Sequence, residues 1–396
     1  MNPLFTTSFS LVSSLGRGAT PAFEALRAGR GGLQRNDFLD SKLDTWIGRV
    51  EGLEEDAAGT QVEGFSDYRV QRLAHAALNE DGFSEAVARA RDAHGPGRIG
   101  VFLGTSSAGM LQGELAYRAC RPGFEALPAG LSYRDGFNMY APAAFVRARL
   151  GLKGPAAVVS TACSSSAKVF ATASRAIDAG LCDAAVVGGV ETLCFTTLHG
   201  FASLELLSRD PCRPCDASRG GISLGEGAAF VLLEKNDTSG EDLALLGYGE
   251  SADAHHMSTP HPEGLGAALA MRSALERAGI AATEIDYINL HGTGTRSNDA
   301  AEDAAVFSVA GDRVPCSATK GWTGHTLGAA GAIEAVLTLL CLRHGYAPGT
   351  LNTRHVDPGI RSRILLKGRN SPLRRAMSNS FGFGGSNCSL VFGRSR

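Results

Sequence analysis

The 396-residue chain has no long apolar run and almost no net charge. No stretch approaches the roughly 18 uninterrupted apolar residues that a membrane-spanning helix needs, so we expect no membrane segment. The 38 Lys and Arg residues are balanced by 40 Asp and Glu residues, which excludes the basic surface typical of nucleic-acid-binding proteins. Residues 1–18 lack both a positively charged start and a continuous apolar core, so we expect no secretory signal peptide.

The chain also lacks a cysteine pattern that would form a disulfide framework. It has nine cysteines, an odd number, and most of them lie among apolar residues, which is typical of free thiols in a reducing compartment. We therefore expect a cytoplasmic protein. Cys212 and Cys215 have the CxxC spacing, but zinc takes about four protein ligands and no second pair lies nearby in the sequence. A metal site is therefore not predicted.

Glycine is abundant, with 50 residues, and strand-like runs alternate with helical patterns. This alternation predicts an α/β protein with layered sheets. The polar segment 234–242 lies between two strand-like runs and predicts a junction of two halves, residues 1–236 and 237–396. A surface loop inside one sheet would give the same pattern. Segments 29–32 and 56–60 are predicted as loops.

Two predicted helices, 164–179 and 329–342, are apolar or small on every side. This composition indicates buried helices rather than surface helices. The second helix nevertheless contains a carboxylate, Glu334, and a charge in such a helix is costly unless it is paired. Glu334 therefore requires a partner. Two further helices are predicted at 266–278 and 300–309. Strands are predicted at 99–103, 156–160, 184–190, 227–233, 243–249, 287–290, 314–317, 376–380 and 388–392.

Cys163 directly follows the apolar strand 156–160 and precedes the first buried helix. Unpaired backbone N–H groups and the helix dipole at such a position favour the thiolate form of a cysteine. The neighbouring residues in Thr161–Ser166 are small and leave room for a substrate. These features predict a nucleophile, and a buried, inert cysteine is the alternative.

Two histidines and a lysine follow later strands. His291 begins the glycine-containing segment His291–Thr295, a pattern that presents a side chain to a cleft. Lys320 and His325 bracket a glycine-containing turn just before the second buried helix. The alternatives are a satisfied structural histidine and a solvated surface lysine. A cysteine combined with histidines is suited to acyl transfer through a thioester.

A glycine-dense hairpin, Asn379–Asn387, lies between the last two predicted strands. Its exposed backbone N–H groups could serve as donors to an anion, and it carries two aromatic residues. An ordinary hairpin is the alternative interpretation.

In combination, these motifs resemble the β-ketoacyl-acyl-carrier-protein synthases of the elongating type, within the thiolase-fold superfamily. The resemblance covers roughly residues 95–396, with the motifs in the same order. A thiolase that uses coenzyme A thioesters, or a chain-initiating synthase, would be expected to differ at the second histidine. The matching segments are Gly100–Gly104, Thr161–Ser166, Gly188–Glu191, Arg213–Asp216, Gly225–Gly227, His291–Thr295, Ala318–His325 and Asn379–Asn387.

The resemblance implies a five-layered α-β-α-β-α fold from two pseudo-symmetric halves, and a dimer. It implies that Cys163 takes the acyl group from the thioester of an acyl carrier protein. His291 and His325 would support decarboxylation of malonyl-carrier protein and stabilise the resulting enolate. Lys320 would fix the charge of the two histidines, and Glu334 would pair with Lys320.

The resemblance also implies roles for the residues around the nucleophile. The backbone N–H groups of Cys163 and Phe383 would form an oxyanion hole, and Phe381 and Phe383 would be gating aromatics at the acyl pocket. Thr293 and Thr295 would contact the phosphopantetheine arm of the carrier protein. Because that arm carries the substrates, no metal, nucleotide or other cofactor is expected.

The sequence departs from the family in three places. Residues 2–15 are more polar than the usual first strand, and residues 35–93 match only loosely. Ser107 stands at a position that is often aliphatic and helps set the depth of the acyl pocket, so a longer, stiffer or aromatic chain could fit.

These departures leave several functions open. Fatty-acid-type elongation and a specialised synthase for aryl polyene or polyketide-like chains are both compatible with the motifs. The specialised enzyme could require a different partner subunit and form a heterodimer in place of a homodimer. A catalytically silent dimer partner is an alternative of another class, and the retained Cys163 argues against it.

Overall fold

The computed structural model describes residues 1–54, 62–120, 123 and 131–395. The predicted loop 56–60 lies outside these residues, whereas residues 29–32 form a loop as predicted. Strands before residue 240 are Leu4–Ser13 (β1), Gly16–Arg17 (β2), Gln34–Arg35 (β3), Trp46–Gly48 (β4), Ile99–Gly104 (β5), Ala156–Val159 (β6), Ala184–Glu191 (β7), Leu224–Gly225 (β8) and Gly227–Glu234 (β9). Helices are Ala19–Ala28 (α1), Arg69–Asn79 (α2), Phe83–His94 (α3), Met110–Ala119 (α4), Ala141–Arg149 (α5), Ser165–Asp178 (α6) and Phe195–Ser203 (α7).

The second part of the chain continues the alternation of strands and helices. All strands and helices predicted from the sequence are present, with ends displaced by a few residues. The strands are Leu243–Ala252 (β10), Tyr287–Leu290 (β11), Pro315–Ala318 (β12), Tyr346–Ala347 (β13), Arg363–Ile364 (β14), Arg369–Asn370 (β15), Arg375–Gly382 (β16) and Ser386–Arg394 (β17). The helices are Leu265–Ala278 (α8), Arg296–Ala310 (α9), Lys320–Thr323 (α10) and Ala330–His344 (α11).

The main strands form one hydrogen-bonded sheet in the order β14-β12-β11-β16-β17-β10-β1-β9-β7-β5-β6. It contains two runs with the same pattern. In the first run, β6, β5 and β7 are parallel and are followed by antiparallel β9 and β1. In the second run, β12, β11 and β16 are parallel and are followed by antiparallel β17 and β10. This repetition matches the predicted pseudo-symmetry of two halves.

Strand β1 joins the two runs, and the sequence pattern did not predict it. The strand pairs with β9 along most of its length and with β10 at Leu4 and Phe5. Its polar residues are accommodated inside the protein, since Thr6 and Ser10 are buried and the Thr6 hydroxyl donates to the Leu243 carbonyl at 3.0 Å. Serine and threonine interrupted the apolar pattern, and tertiary packing outweighs that local signal.

Helices α6 and α11 form the layer between the two runs. Each of them packs against strands of both runs and against the other helix, which explains why both are apolar on every side. Helices α2, α3 and α5 cover the outer face of the first run, while α8 covers the second run with α9 beside it. The five layers, α-β-α-β-α, confirm the predicted fold class.

The predicted junction corresponds to the connection between β9 and β10. This turn is organised by the Asp237 carboxylate, which accepts hydrogen bonds from the backbone N–H groups of Ser239, Gly240 and Asp242. The two strands that this turn connects, β9 and β10, lie on either side of β1 in the same sheet. The division into residues 1–236 and 237–396 stays a prediction.

One helical stretch among the described residues, Leu327–His344, is long and apolar enough to cross a membrane by composition. Its mean hydropathy is 1.4, and 89% of it is buried inside the protein. The stretch contains α11, so its apolar character reflects its place in the central layer.

The contact between α6 and α11 depends on a glycine. A Cβ atom at Gly331 would lie 2.5 Å from the backbone nitrogen of Ala167, so we expect Gly331→Ala to lower the free energy of unfolding by about 1–3 kcal/mol. Gly200→Ala in α7 is the matched control, because nothing lies within 4 Å of its Cβ position. Thermal or urea unfolding of both variants measures the difference. Equal stability of the two variants would contradict this account of the central layer.

Candidate active site

Cys163 lies in the tight turn between β6 and α6. Ala162 adopts a left-handed conformation with φ of 52°, and the Ser165 hydroxyl donates to the carbonyl of Ala162 at 2.6 Å and accepts from the N–H of Thr161 at 2.9 Å. These bonds hold the turn, which places Cys163 immediately before the first residues of the central helix. The thiol is buried, as the whole residue is 5% exposed.

His325 contacts the thiol directly. Its Nε2 atom lies 3.0 Å from Cys163 Sγ, and its Nδ1 atom accepts the backbone N–H of Leu327 at 3.3 Å. A neutral imidazole whose Nδ1 accepts carries its proton on Nε2. His325 therefore presents an N–H donor to the sulfur or to a substrate atom bound beside it.

His291 is oriented by a buried ion pair. Lys320 Nζ lies 3.1 Å from His291 Nδ1, and it also contacts the His291 carbonyl oxygen and the carboxylate of Glu334. A lysine ammonium group only donates, so Nδ1 of His291 accepts and its proton lies on Nε2. Glu334 thus has the partner that the sequence required, and both histidines present an N–H group.

Three of the predicted catalytic residues converge. The ligand atoms of Cys163, His291 and His325 all lie within 4.8 Å of one another, and the two imidazole rings are nearly perpendicular, with centroids 5.4 Å apart. The distances between these three ligand atoms would by themselves allow a bound metal ion. However, both histidines direct a proton rather than a lone pair from Nε2, which suits binding of a substrate oxygen.

Burial controls the charge of this cluster. Burial, with a further contribution from the Lys320 ammonium, holds the pKa values of His291 and His325 well below the usual range. Burial also raises the pKa of Cys163 to about 11, although Lys320 and the Phe383 N–H oppose this. The expectation of a thiolate at the helix start is therefore wrong for the resting site, because desolvation outweighs the favourable donors.

The glycine-dense hairpin lies against the nucleophile. A Cβ atom at Gly382 would lie 2.8 Å from the Thr161 carbonyl oxygen and 3.3 Å from the Cys163 nitrogen, so only glycine permits this approach. The backbone N–H of Phe383 lowers the pKa of the Cys163 thiol. The structure therefore brings the Phe383 N–H and the Cys163 backbone together, as an oxyanion hole would require.

A cavity leads to the sulfur from the protein surface, and Thr293 and Thr295 line it with Phe381 and Phe383. The two threonine hydroxyls are 2.9 Å apart. The Phe381 ring lies 6.0 Å from the His291 ring, centre to centre, whereas Phe383 is 38% exposed at the opening. The geometry agrees with the predicted places of these four residues, and their roles stay predictions.

Ser107 is not among the residues that line this cavity. Its backbone N–H and its hydroxyl both donate to the buried carboxylate of Glu191. The influence of Ser107 on the depth of an acyl pocket stays a prediction.

Two buried carboxylates behind His291 were missed from the sequence. Glu302 accepts the backbone N–H groups of His291 and Gly292, each at 2.7 Å, and Asp299 accepts that of Gly294 at 3.1 Å. Burial raises the pKa of Glu302 to about 7. Both residues lie on the inner face of α9, and acidic residues at helical spacing inside an apolar helix were the available signal.

Cys212 and Cys215, the CxxC pair, have structural contacts near the His291 loop. The Cys212 thiol donates to the Thr293 carbonyl at 3.2 Å, and the Cys215 N–H donates to Asp299 at 2.8 Å. Both thiols are buried, and burial raises their pKa values. The two cysteines therefore brace the loop that contains His291–Thr295.

The five-layered fold and a cysteine flanked by two histidines are the features that the resemblance to β-ketoacyl synthases implied. The chain matches the beta-ketoacyl synthase N-terminal domain over residues 25–239 and the C-terminal domain over residues 244–354. The chain therefore belongs to the beta-ketoacyl synthase family.

Individual relatives support this assignment. The chain is 33% identical over 410 residues to 3-oxoacyl-[acyl-carrier-protein] synthase 2 of Coxiella burnetii, which covers 98% of this chain and 97% of that protein. It is 39% identical over 267 residues to the mitochondrial 3-oxoacyl-[acyl-carrier-protein] synthase of Arabidopsis thaliana, which covers 62% of this chain and only 58% of that protein. With 3-oxoacyl-[acyl-carrier-protein] synthase 2 of Rhizobium meliloti, the 42% identical match covers 63% of each protein.

Solved structures agree. The structure of the ketosynthase ApeO in complex with its chain length factor ApeC, from Xenorhabdus doucetiae, matches with a TM-score of 0.87 and 36% identity, covering 100% of this chain and 98% of the matched chain. The ishigamide ketosynthase/chain length factor matches with a TM-score of 0.88 and 28% identity, and both chains are covered completely.

The charge of Lys320 lowers the pKa of Cys163, so its removal should make the thiol less reactive. Glu334 opposes this effect by raising the pKa of Cys163, but by less than Lys320 lowers it. We therefore expect the paired variant Lys320→Met/Glu334→Gln, which leaves no unpaired buried carboxylate, to slow iodoacetamide alkylation of Cys163 at pH 8 by about threefold. Peptide mass mapping follows Cys163 separately from the other thiols. The control Arg343→Met/Glu241→Gln removes an ion pair near the surface and should leave the rate unchanged. A wild-type rate in the first variant would contradict the electrostatic role of Lys320.

Proposed function

We propose that the protein is a β-ketoacyl-acyl-carrier-protein synthase that condenses an acyl group on Cys163 with malonyl-carrier protein. The observation that carries this proposal is the convergence of two neutral imidazole N–H groups on one cysteine thiol. Such a pair stabilises the negative charge that develops on a thioester oxygen, without needing a proton transfer to that oxygen.

The first half-reaction is acyl transfer. The Cys163 sulfur attacks the thioester carbonyl of the acyl-carrier protein, and the carbonyl oxygen becomes an oxyanion beside the N–H groups of Cys163 and Phe383. The carbon–sulfur bond to the phosphopantetheine arm then breaks. The proton of the Cys163 thiol leaves with the phosphopantetheine thiol, so charge and atoms balance.

The second half-reaction is decarboxylative condensation. The malonyl carboxylate leaves as CO₂, and its bonding electrons form an enolate whose oxygen accepts the Nε2–H groups of His291 and His325. The enolate carbon attacks the acyl carbonyl on Cys163, and the carbon–sulfur bond breaks to release the β-ketoacyl-carrier protein. The Cys163 thiolate then takes a proton from solvent, which restores the resting thiol. The neutral state of both histidines lets them donate without protonating the enolate.

Three features support a carrier protein as the partner. The relatives described above are named as synthases of acyl-carrier-protein thioesters. The nucleophile lies at the inner end of a cavity, which a flexible arm can enter. The hydroxyls of Thr293 and Thr295 line that cavity and can donate to the amide carbonyls of a phosphopantetheine arm.

The proposed enzyme also acts as a dimer. Strand β6 is an edge strand, because it pairs with β5 alone among the described strands. Its four apolar residues are only half-buried. A bare, apolar strand edge is a template for another strand, so a second subunit would complete the sheet there and cover the segment that leads to Cys163.

Two pathways fit this chemistry. The curated relatives favour fatty-acid-type elongation by a homodimer. The similarity to two ketosynthase and chain length factor structures favours the second candidate, a specialised synthase that pairs with a chain length factor. We place the enzyme in the cytoplasm in either case, where carrier proteins and reduced thiols are both available.

We expect acyl-carrier proteins to acylate Cys163 within one turnover. Intact mass after mixing should show one acyl adduct on the wild-type protein and none on Cys163→Ala. Cys194→Ala is the matched control, because Cys194 is a buried cysteine outside the cavity lining, and it should retain the adduct. A panel of straight, unsaturated and aryl-bearing acyl groups then separates the two pathways by rate.

The acylation assay also tests whether the protein acts without a partner subunit. If no donor gives an adduct on the wild-type protein, the assay is repeated with a co-expressed chain length factor. An adduct that requires that subunit supports the heterodimer. Absence of an adduct in both cases overturns the proposed function and leaves the role of a silent partner.

A further inference from the structure

Glu191, the last residue of β7, carries a carboxylate that is completely buried and accepts five hydrogen bonds. Its Oε2 atom accepts the N–H of Ser106 at 2.7 Å, the Ser106 hydroxyl at 2.6 Å and the N–H of Gly328 at 2.9 Å. Its Oε1 atom accepts the N–H of Ser107 at 2.9 Å and the Ser107 hydroxyl. All five donors are neutral, so the carboxylate is held by dipoles rather than by an ion pair.

The backbone at Gly328 packs tightly against the Glu191 carboxylate. A Cβ atom at Gly328 would lie 2.5 Å from Glu191 Oε2 and 2.4 Å from the backbone nitrogen of Ser106. Its neighbour Leu327 is buried and has φ of 47°, a conformation that is strained for a γ-branched residue. The bond from Gly328 to Glu191 is therefore positioned to hold a strained turn.

That turn determines the orientation of His325. The N–H of Leu327 donates to His325 Nδ1 at 3.3 Å, which leaves the proton on Nε2, 3.0 Å from Cys163 Sγ. If the turn relaxed, the N–H of Leu327 would move away and the imidazole would lose the one backbone donor that it has among the described residues. Three consecutive contacts thus connect Glu191 to the nucleophile.

The same carboxylate holds the loop that contains Ser106 and Ser107. That loop precedes α4, whose buried residue Leu111 belongs to the same apolar cluster as Leu327. Glu191 therefore connects two loops that meet at this cluster, one on the first half of the chain and one beside His325.

We propose that Glu191 is a positioning residue that holds the turn Leu327–Ala329 in its strained form and thereby keeps the Nε2–H of His325 directed at Cys163. This inference deepens the proposed function, on which it rests for the role of His325. Glu191 does not itself touch the reacting atoms. It acts through Gly328 and Leu327.

The test uses the isosteric variant Glu191→Gln, which replaces a fully accepting carboxylate by a group that carries its own N–H donors. We expect Cys163 of the folded variant to be alkylated by iodoacetamide about tenfold more slowly at every pH from 7 to 9, because the thiolate loses one hydrogen bond. Asp303→Asn is the matched control. Asp303 accepts two backbone N–H groups and a serine hydroxyl and does not line the cavity that contains Cys163, so its variant should keep the wild-type profile.

A second variant keeps the test informative if Glu191→Gln does not fold. Gly328→Ala breaks the same contact from the other side without changing charge, and it should show the same slow alkylation, with Gly200→Ala as its control. A folded variant that is alkylated at the wild-type rate or faster overturns the proposal. Because alkylation needs no carrier protein, this result is independent of whether the acyl adduct forms.

Discussion

The site depends on one buried charge, the ammonium group of Lys320. It is 1% exposed, and an ion in such surroundings persists only if its neighbours satisfy it. Glu334 supplies the opposite charge, while His291 supplies a ring nitrogen and a carbonyl oxygen. Burial lowers the pKa values of both histidines, and the same ammonium lowers them further. The ammonium also makes the Cys163 thiol more acidic than burial alone would. Burial thus sets the protonation state of the cluster, and this one ion pair adjusts it.

The fold brings these groups together by a simple geometric rule. In each run, parallel strands end at the same edge of the sheet, and functional side chains follow them. His291 comes after β11, Lys320 after the neighbouring strand β12 and Cys163 after β6 in the other run. The central helices α6 and α11 bring the two edges together, because each packs against both runs. Glu334 reaches Lys320 from α11 inside this layer.

Much of the site was predictable from local patterns. Cys163, His291, Lys320 and His325 each follow a strand, and glycines near them indicate close backbone approaches. The lone carboxylate of an apolar helix, Glu334, required a partner, and the structure supplies it. Glu302 and Glu191 were not predicted as site residues, because their importance lies in the backbone N–H groups that they accept. The groups that Glu191 accepts come from residues 84 to 137 positions away.

The sequence by itself determined the α/β class, the main strands and helices from residue 99 onward and the residues that could carry acyl chemistry, since periodicity, turns and motifs are local properties. Only the tertiary structure decided the charge of those residues. The helix start predicted a thiolate at Cys163, but burial keeps the thiol neutral because desolvation depends on every layer around it. The position of strand β1 was likewise decided by the tertiary structure. Its serines and threonines gave a weak local signal, and its place between β9 and β10 is decided by partners more than 200 residues away.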